Sequence, residues 1–137
     1  MRNLLIVWSD KSKIGVPILD EHHRGIVSVI NSLFYYMSHP ASRSVLMAHL
    51  GMIEQYGRIH FLVEEELLEK AGYPELETHK AQHEDLTRKT HIIAMECRRT
   101  GDPQALLQFL KTWWIEHINV DDKACEPCLN DYMNTQP

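Results

Sequence analysis

No stretch of eighteen consecutive apolar residues occurs in the 137-residue chain, which excludes a membrane-spanning helix, and no membrane partner is expected. Near the N-terminus the only apolar run is Leu4-Leu5-Ile6-Val7 with Trp8. That is too short for the hydrophobic region of a signal peptide, so a cytoplasmic location is expected. Cysteine is scarce: Cys97, Cys125 and Cys128 are too few for a disulfide scaffold. Positive charge is scarce as well. Fourteen Lys and Arg against 19 Asp and Glu give a formal net charge of −5, and the densest basic patch is only Arg98-Arg99. This excludes nucleic acid as an expected partner. Strand-like alternation, internal repeats and low-complexity segments are all missing. A hydrophobic fraction of 44% and a charged fraction of 24% are those of an ordinary globule, at a length that suits one domain with a real core.

The spacing of apolar residues predicts four helices. Residues 1–17 read as an irregular arm, kept so by Gly15 and Pro17, with Leu4, Ile6, Val7 and Trp8 available to pack on the rest. The first helix begins near Asp20, an N-cap or first-turn acid, carries Ile26, Val29, Ile30, Leu33, Phe34 and Met37 at helical spacing, and ends at Pro40. The second is capped by Ser42 or Ser44 and runs to about Lys70, with Gly51 and Gly57 as small residues suited to a close helix approach. Ala71-Gly72-Tyr73-Pro74 stops it and starts the third, which runs from about Glu75 to Arg99. Gly101-Asp102-Pro103 repeats that punctuation before a fourth helix, closed by Pro127 or shortly after. Short connections favour antiparallel neighbours, hence an all-α, up-down-up-down four-helix bundle. The expected organisation is a single domain over 1–137: arm 1–17, bundle 18–126, and a loosely held polar tail over 127–137.

What the chain has in excess is histidine, nine in all. His60 and Glu64 stand four residues apart, as do His79 and His83, which on a helix leaves the side chains about 40° apart and about 6 Å along the axis. With His23, His117 and Asp122 they make five imidazoles and two carboxylates directed to the inner faces of four helices. Imidazole and carboxylate are donors for a borderline metal such as iron, manganese or zinc, and seven donors exceed the need of one tetrahedral ion but suit two ions sharing bridging carboxylates. A lone inward histidine is more often bonded to a backbone carbonyl than to a metal. Here, however, His23 starts the first helix, His60 and Glu64 end the second, His79 and His83 open the third, and His117 closes the fourth, so in an antiparallel bundle all meet at one pole. Two positions stay open on geometry alone. Asp122 lies five residues after His117, about 140° around an ideal helix, so either a π-type turn distorts the helix there or Asp121, at four residues, is the donor. His22 rivals His23, since neighbours cannot both face one site. His39, His49 and His91 read as ordinary polar residues, the latter two about 16 Å from His60 and about 12 Å from His83 along their helices.

In order, Trp8 before Gly15-Val16, Leu19-Asp20-Glu21-His22-His23, His60-Phe61-Leu62-Val63-Glu64-Glu65, Tyr73-Pro74 with His79 and His83, and Trp113-Trp114-Ile115-Glu116-His117-Ile118 with Asp122 resemble the hemerythrin family, and more closely its bacterial members. The resemblance spans nearly the whole chain. It implies two iron ions with an oxo or hydroxo bridge. By it His79, His83 and His117 would hold one iron and His23 and His60 the other, with Glu64 and Asp122 bridging; it selects His23 over His22 and Asp122 over Asp121. It further implies that dioxygen binds at the open position of the iron with fewer ligands, inside an apolar pocket for which Ile26, Ile30, Leu86, Trp113 and Ile118 are candidates. The chain departs from the family at His22, where Gln is usual, and at Trp114, where Leu is common; the first could alter the surroundings of the ligands and the second narrow an access path. A ferritin-like di-iron site is disfavoured, since its Glu-x-x-His motifs are replaced here by His-x-x-x-Glu and His-x-x-x-His.

The function expected from this resemblance is reversible dioxygen binding as a carrier or store, without enzymatic turnover. The competing expectations are an oxygen or redox sensor domain of a longer signalling protein, such as a diguanylate cyclase or chemoreceptor, and an enzyme acting on nitric oxide or peroxide. Cys125-Glu126-Pro127-Cys128 lies just after Asp122. It reads either as two free thiols on a helix end or as a thiol–disulfide switch or metal clip beside the iron site, although the strand-to-helix setting of a thioredoxin motif is absent.

Overall fold

Pro17, whose ring fixes φ and whose missing N–H is not needed in a first turn, opens the first helix three residues ahead of the expected start at Asp20. The computed structural model describes residues 4–39 and 42–136, without the side chains of Trp114 and Ile115. Helix α1 spans Pro17–Ser38, α2 Arg43–Ala71, α3 Leu76–Thr100 and α4 Gln104–Trp113. A π-helical segment, Trp114–Asp122, joins α4 to α5, Lys123–Asn134. These last three form one rod, the fourth member of an antiparallel bundle in which α1 packs on α2 and α4, α2 on α3 and α5, and α3 on α4. Pro40, expected to end α1, and the ring of Trp114 lie outside the described residues.

Local chemistry accounts for the ends. The Ser42 side chain accepts a hydrogen bond from the Val45 N–H at 3.3 Å, supplying one of the partners that the first turn of α2 lacks. Gly72 and Gly101 adopt φ of 71° and 78° just beyond α2 and α3, a left-handed conformation that costs other residues about 1 kcal/mol or more. Asp102 accepts from the Gln104 N–H at 3.0 Å at the start of α4. Asp20 is the first-turn acid of α1 rather than its cap, and its carboxylate accepts from the backbone N–H groups of Ile14 (2.8 Å) and Gly15 (3.2 Å), folding the arm back onto the helix.

The rest of the arm is tied down by Asn31. Its side-chain oxygen accepts from the N–H of both Leu5 and Ile6, each at 2.9 Å, and its amide donates to the Ile6 carbonyl at 2.8 Å. This seats Ile6 in the core with Leu5 and Trp8 against it. Leu4 and Val7, expected to pack, are instead exposed.

Two further expectations are corrected. Gly51 and Gly57 have open space where a Cβ would stand; the close approach is at Gly25 of α1, where a Cβ would meet the Tyr56 ring of α2 at 2.9 Å. Pro127 does not close the fourth helix: α5 runs on to Asn134 with the proline inside it, so the bundle extends beyond residue 126 into the segment taken for a loose tail. A proline removes one backbone hydrogen bond and strains the turn before it. Here α5 has an apolar face to bury: Cys125 and Leu129 are fully enclosed with Ile14, Val16, Leu19 and Leu68, and each large apolar side chain so enclosed contributes about 1.5–3 kcal/mol. Leu129→Ala should therefore destabilise the protein by about 2–5 kcal/mol, seen as a lower denaturant midpoint with an unchanged slope. A midpoint within experimental error of the parent would mean that α5 is not part of the cooperative core.

Candidate metal centre

The seven residues singled out in the sequence are brought to one place. His23 comes from α1, His60 and Glu64 from α2, His79 and His83 from α3, and His117 and Asp122 from the π-helical segment. All are buried, and His23, His60, Glu64 and Asp122 have no exposed surface. In a π-helix hydrogen bonds close at i→i+5 rather than i→i+4, so residues five apart return to the same face. That resolves the geometric ambiguity at the fourth helix. Asp122 faces inward, whereas Asp121 lies at the outer edge, its Oδ2 3.2 Å from His117 Nδ1.

Two sets of donor atoms result. Glu64, His79, His83, His117 and Asp122 form one, His23, His60, Glu64 and Asp122 the other, and within each set the atoms lie within 4.8 Å of one another. Glu64 and Asp122 belong to both. His23 and His60 meet Nε2 to Nε2 at 3.0 Å, and His83 and His117 at 3.1 Å. Asp122 Oδ1 stands 3.3 Å from the Nε2 atoms of both His79 and His117, and Oδ2 stands 3.3 Å from that of His23; His79 Nε2 also contacts Glu64 Oε1. Yet Glu64 Oε2 and both Asp122 oxygens lack a hydrogen bond from any described residue despite being buried. Buried charge left so is costly. The arrangement fits cations. Metal–imidazole bonds of about 2.0–2.1 Å place donors at adjacent corners of an octahedron about 3 Å apart, the separation of these imidazole nitrogens.

The outer nitrogens are held as well, which fixes ring orientation. His83 Nδ1 lies 2.9 Å from Glu65 Oε2, His117 Nδ1 faces Asp121, and His79 Nδ1 lies 3.9 Å from Cys125 Sγ. His22, the rival of His23, does not join either set; its Nδ1 is 3.4 Å from His60 Nδ1. Burial lowers the pKa of His22, and the neighbouring imidazoles of His60 and His23 lower it further. Phe61 stacks on the His83 ring with centroids 4.0 Å apart and planes 12° apart, and meets His117 edge-on at 5.8 Å. Beyond Phe61 opens a groove of about 640 Å³ between α2 and α3, lined among others by Ile26, Ile53, Leu110 and Trp113. Of the expected pocket residues, Ile26 and Trp113 reach this groove. Ile30 and Ile118 are sealed in the core, and Leu86 packs against it. His39, His49 and His91 stay away from the centre, bonded or paired to Tyr35, Ser32 and Glu54 respectively.

The family model described as hemerythrin HHE cation binding domain matches residues 14–129. The chain belongs to the hemerythrin family. It is 32% identical over 135 residues to a bacteriohemerythrin of Stenotrophomonas maltophilia, covering 95% of this chain and 85% of that one. It is 30% identical over 135 residues to a bacteriohemerythrin of Methylococcus capsulatus, covering 92% and 98%. A crystal structure of wild-type hemerythrin superposes with a TM-score of 0.80 at 27% identity, covering 91% of this chain and 98% of that one. This hemerythrin-family bundle thus carries a buried metal-binding cluster of histidines and carboxylates. Glu65 and Phe61 were not anticipated at the centre, and Cys125 was expected beside it only as a pair with Cys128, not as a partner of His79. Phe61 had a signal, standing three residues before Glu64 on the same face; the other two depend on which neighbouring helix they meet.

Without metal, the cluster balances its buried carboxylates with protons. Burial alone would depress His60 and His79, but contact with Asp122 and Glu64 prevails and raises them from 6.5 to about 9 and about 12. His117 is held low, by burial first and by the neighbouring imidazoles. Burial would raise Glu64 and Asp122, yet the surrounding histidines push both down. Raised histidines stabilise the fold fully below their unfolded pKa and lose that contribution as pH rises through the folded one; depressed carboxylates lose theirs as pH falls below about 4. The metal-free protein should therefore be most stable between about pH 4.5 and 6.5 and weaken toward pH 9 and above. Denaturant titrations of metal-free protein across this range provide the check, and stability that is flat or rising from pH 6.5 to 10 would contradict the assignment.

Proposed function

We propose that this protein binds dioxygen reversibly at a di-iron centre, as an oxygen carrier or store. The observation that carries this reading is the unequal sharing of two buried carboxylates: three imidazoles on one side of Glu64 and Asp122, two on the other. His79, His83 and His117 with both carboxylates would hold one iron, and His23 and His60 with the same carboxylates the second. The second side has one protein donor fewer, so it is there that an exogenous ligand would find a place. When bound, a reduced iron pair would supply the two electrons that dioxygen takes up on binding and gives back on release.

The chain's own residues make that exchange selective. Imidazole-rich, carboxylate-poor ligation suits reversible binding better than the strong oxidation of glutamate-rich sites. Glu65, Asp121 and Cys125 orient the three rings of the richer side through their outer nitrogens. Phe61, stacked on His83 and edge-on to Trp113 at 6.2 Å, presents an apolar wall that keeps water and stray protons from the centre. The similarity to bacteriohemerythrins supports the same reading.

Replacing single acids tests the assignment. Asp122→Ala and Glu64→Ala each remove a shared donor and should lower iron from about two per chain to about one or less. Asp121→Ala should keep about two, bound about 10–100-fold more weakly through the lost support of His117. Metal analysis of the purified variants decides. Iron retained in Asp122→Ala and lost in Asp121→Ala would overturn the ligand set.

A further inference from the structure

Of the three imidazoles on the richer side of the centre, two are backed by carboxylates and the third, His79, by sulfur. Cys125 is fully buried in the first turn of α5. Its Sγ lies 3.9 Å from His79 Nδ1, while its thiol donates to the Asp121 carbonyl at 3.5 Å. One turn further on the same helix face stands Cys128, half-buried, its thiol directed to the Ala71 carbonyl at 3.6 Å. Residues three apart on a helix have Cα atoms about 5 Å apart, within the separation of about 4.4–6.8 Å that a disulfide tolerates. Pro127 lies between them, and its missing N–H leaves that turn one hydrogen bond short and easier to adjust. The third cysteine, Cys97, is buried in the separate apolar core of the bundle.

The geometry points to Cys125 and Cys128 as an internal dithiol reductant that returns the oxidised, diferric centre to its oxygen-binding diferrous form. This inference rests on the di-iron reading above. In the step, the two S–H bonds break and one S–S bond forms between Cys125 and Cys128. Two electrons pass, by way of the sulfur in contact with the His79 ring, one to each ferric ion, and two protons are released to solvent on the Cys128 side. The pair is oxidised from dithiol to disulfide as the metal is reduced. An external thiol then resets the protein by attacking the more accessible Cys128 sulfur, with exchange through a mixed disulfide. A hemerythrin fold so equipped carries its own repair for the oxidised state, and the thiols are spent only when that state arises.

The test uses the whole chain, loaded with iron, oxidised to the diferric form with its thiols kept reduced, then held without air or added reductant. Iron per chain, the ferrous fraction trapped by a chelator, and free thiols by mass spectrometry are followed together. Wild type should lose two thiols for every two ferric ions reduced, with the disulfide mapped to Cys125–Cys128 and Cys97 left free. Cys97→Ser should behave as wild type. Cys128→Ser, at a half-exposed position that tolerates serine, should slow the reduction at least tenfold and form no disulfide, and iron-free wild type should keep all its thiols. Two irons that stay ferric beside three free thiols in wild type would overturn the inference while leaving the di-iron reading intact. Failure to bind iron at all would remove the reading beneath it and the inference with it.

Discussion

Glu64 and Asp122 have no contact with water, and each stands among imidazoles from both sides of the bundle. Two negative charges in that position are untenable unless positive charge is delivered to them, and this requirement organises the molecule. It explains why five histidines converge where leucine would fill a bundle core at lower cost. It explains why, in the absence of metal, His60 and His79 hold protons far above their ordinary range, and why cations that replace those protons must displace them. The same pair of charges divides the centre unequally, three imidazoles against two.

The fold meets this requirement at two costs, both on the fourth rod. π-helical stretches are rare and short elsewhere because their hydrogen bonding is inferior, yet here one runs from Trp114 to Asp122 and brings Asp122 under His117. Pro127 then interrupts the backbone bonding of α5. Both are offset by burial: Asp122 within the cluster, and Cys125 and Leu129 among Ile14, Leu19 and Leu68. The arm adds to the same end of the bundle, since Asp20 ties Ile14 and Gly15 to α1 one turn before His23.

Much of this was legible in the sequence because it follows from local rules. Gly72, Gly101, Ser42 and Asp102 mark helix ends through conformations and hydrogen bonds that need no tertiary partner, and the i,i+4 pairs place His60 with Glu64 and His79 with His83 on any helix. The meeting of all four helices' histidines at one pole required only antiparallel packing. What was not legible depended on neighbours. A π turn cannot be read from periodicity, so Asp121 and Asp122 were separable only by resemblance. Helix α5 continues past Pro127 with Leu129 buried among Ile14, Leu19 and Leu68. Gly25, not Gly51 or Gly57, permits the close approach because Tyr56 happens to face it. Glu65 and Cys125 reach His83 and His79 across helix interfaces, and the rotation of one helix against another leaves no trace in its own sequence.

The central claim, a buried di-iron pair that binds dioxygen reversibly, is tested most directly by reducing the purified protein anaerobically, counting iron per chain, and recording the visible spectrum as air is admitted and then removed. The account predicts about two irons per chain, the number the shared carboxylates suit, and a charge-transfer band that rises with oxygen and fades when oxygen is withdrawn. An iron-loaded protein that goes at once and irreversibly to the oxidised form would contradict the carrier role, and a protein that takes up no iron would contradict the centre itself.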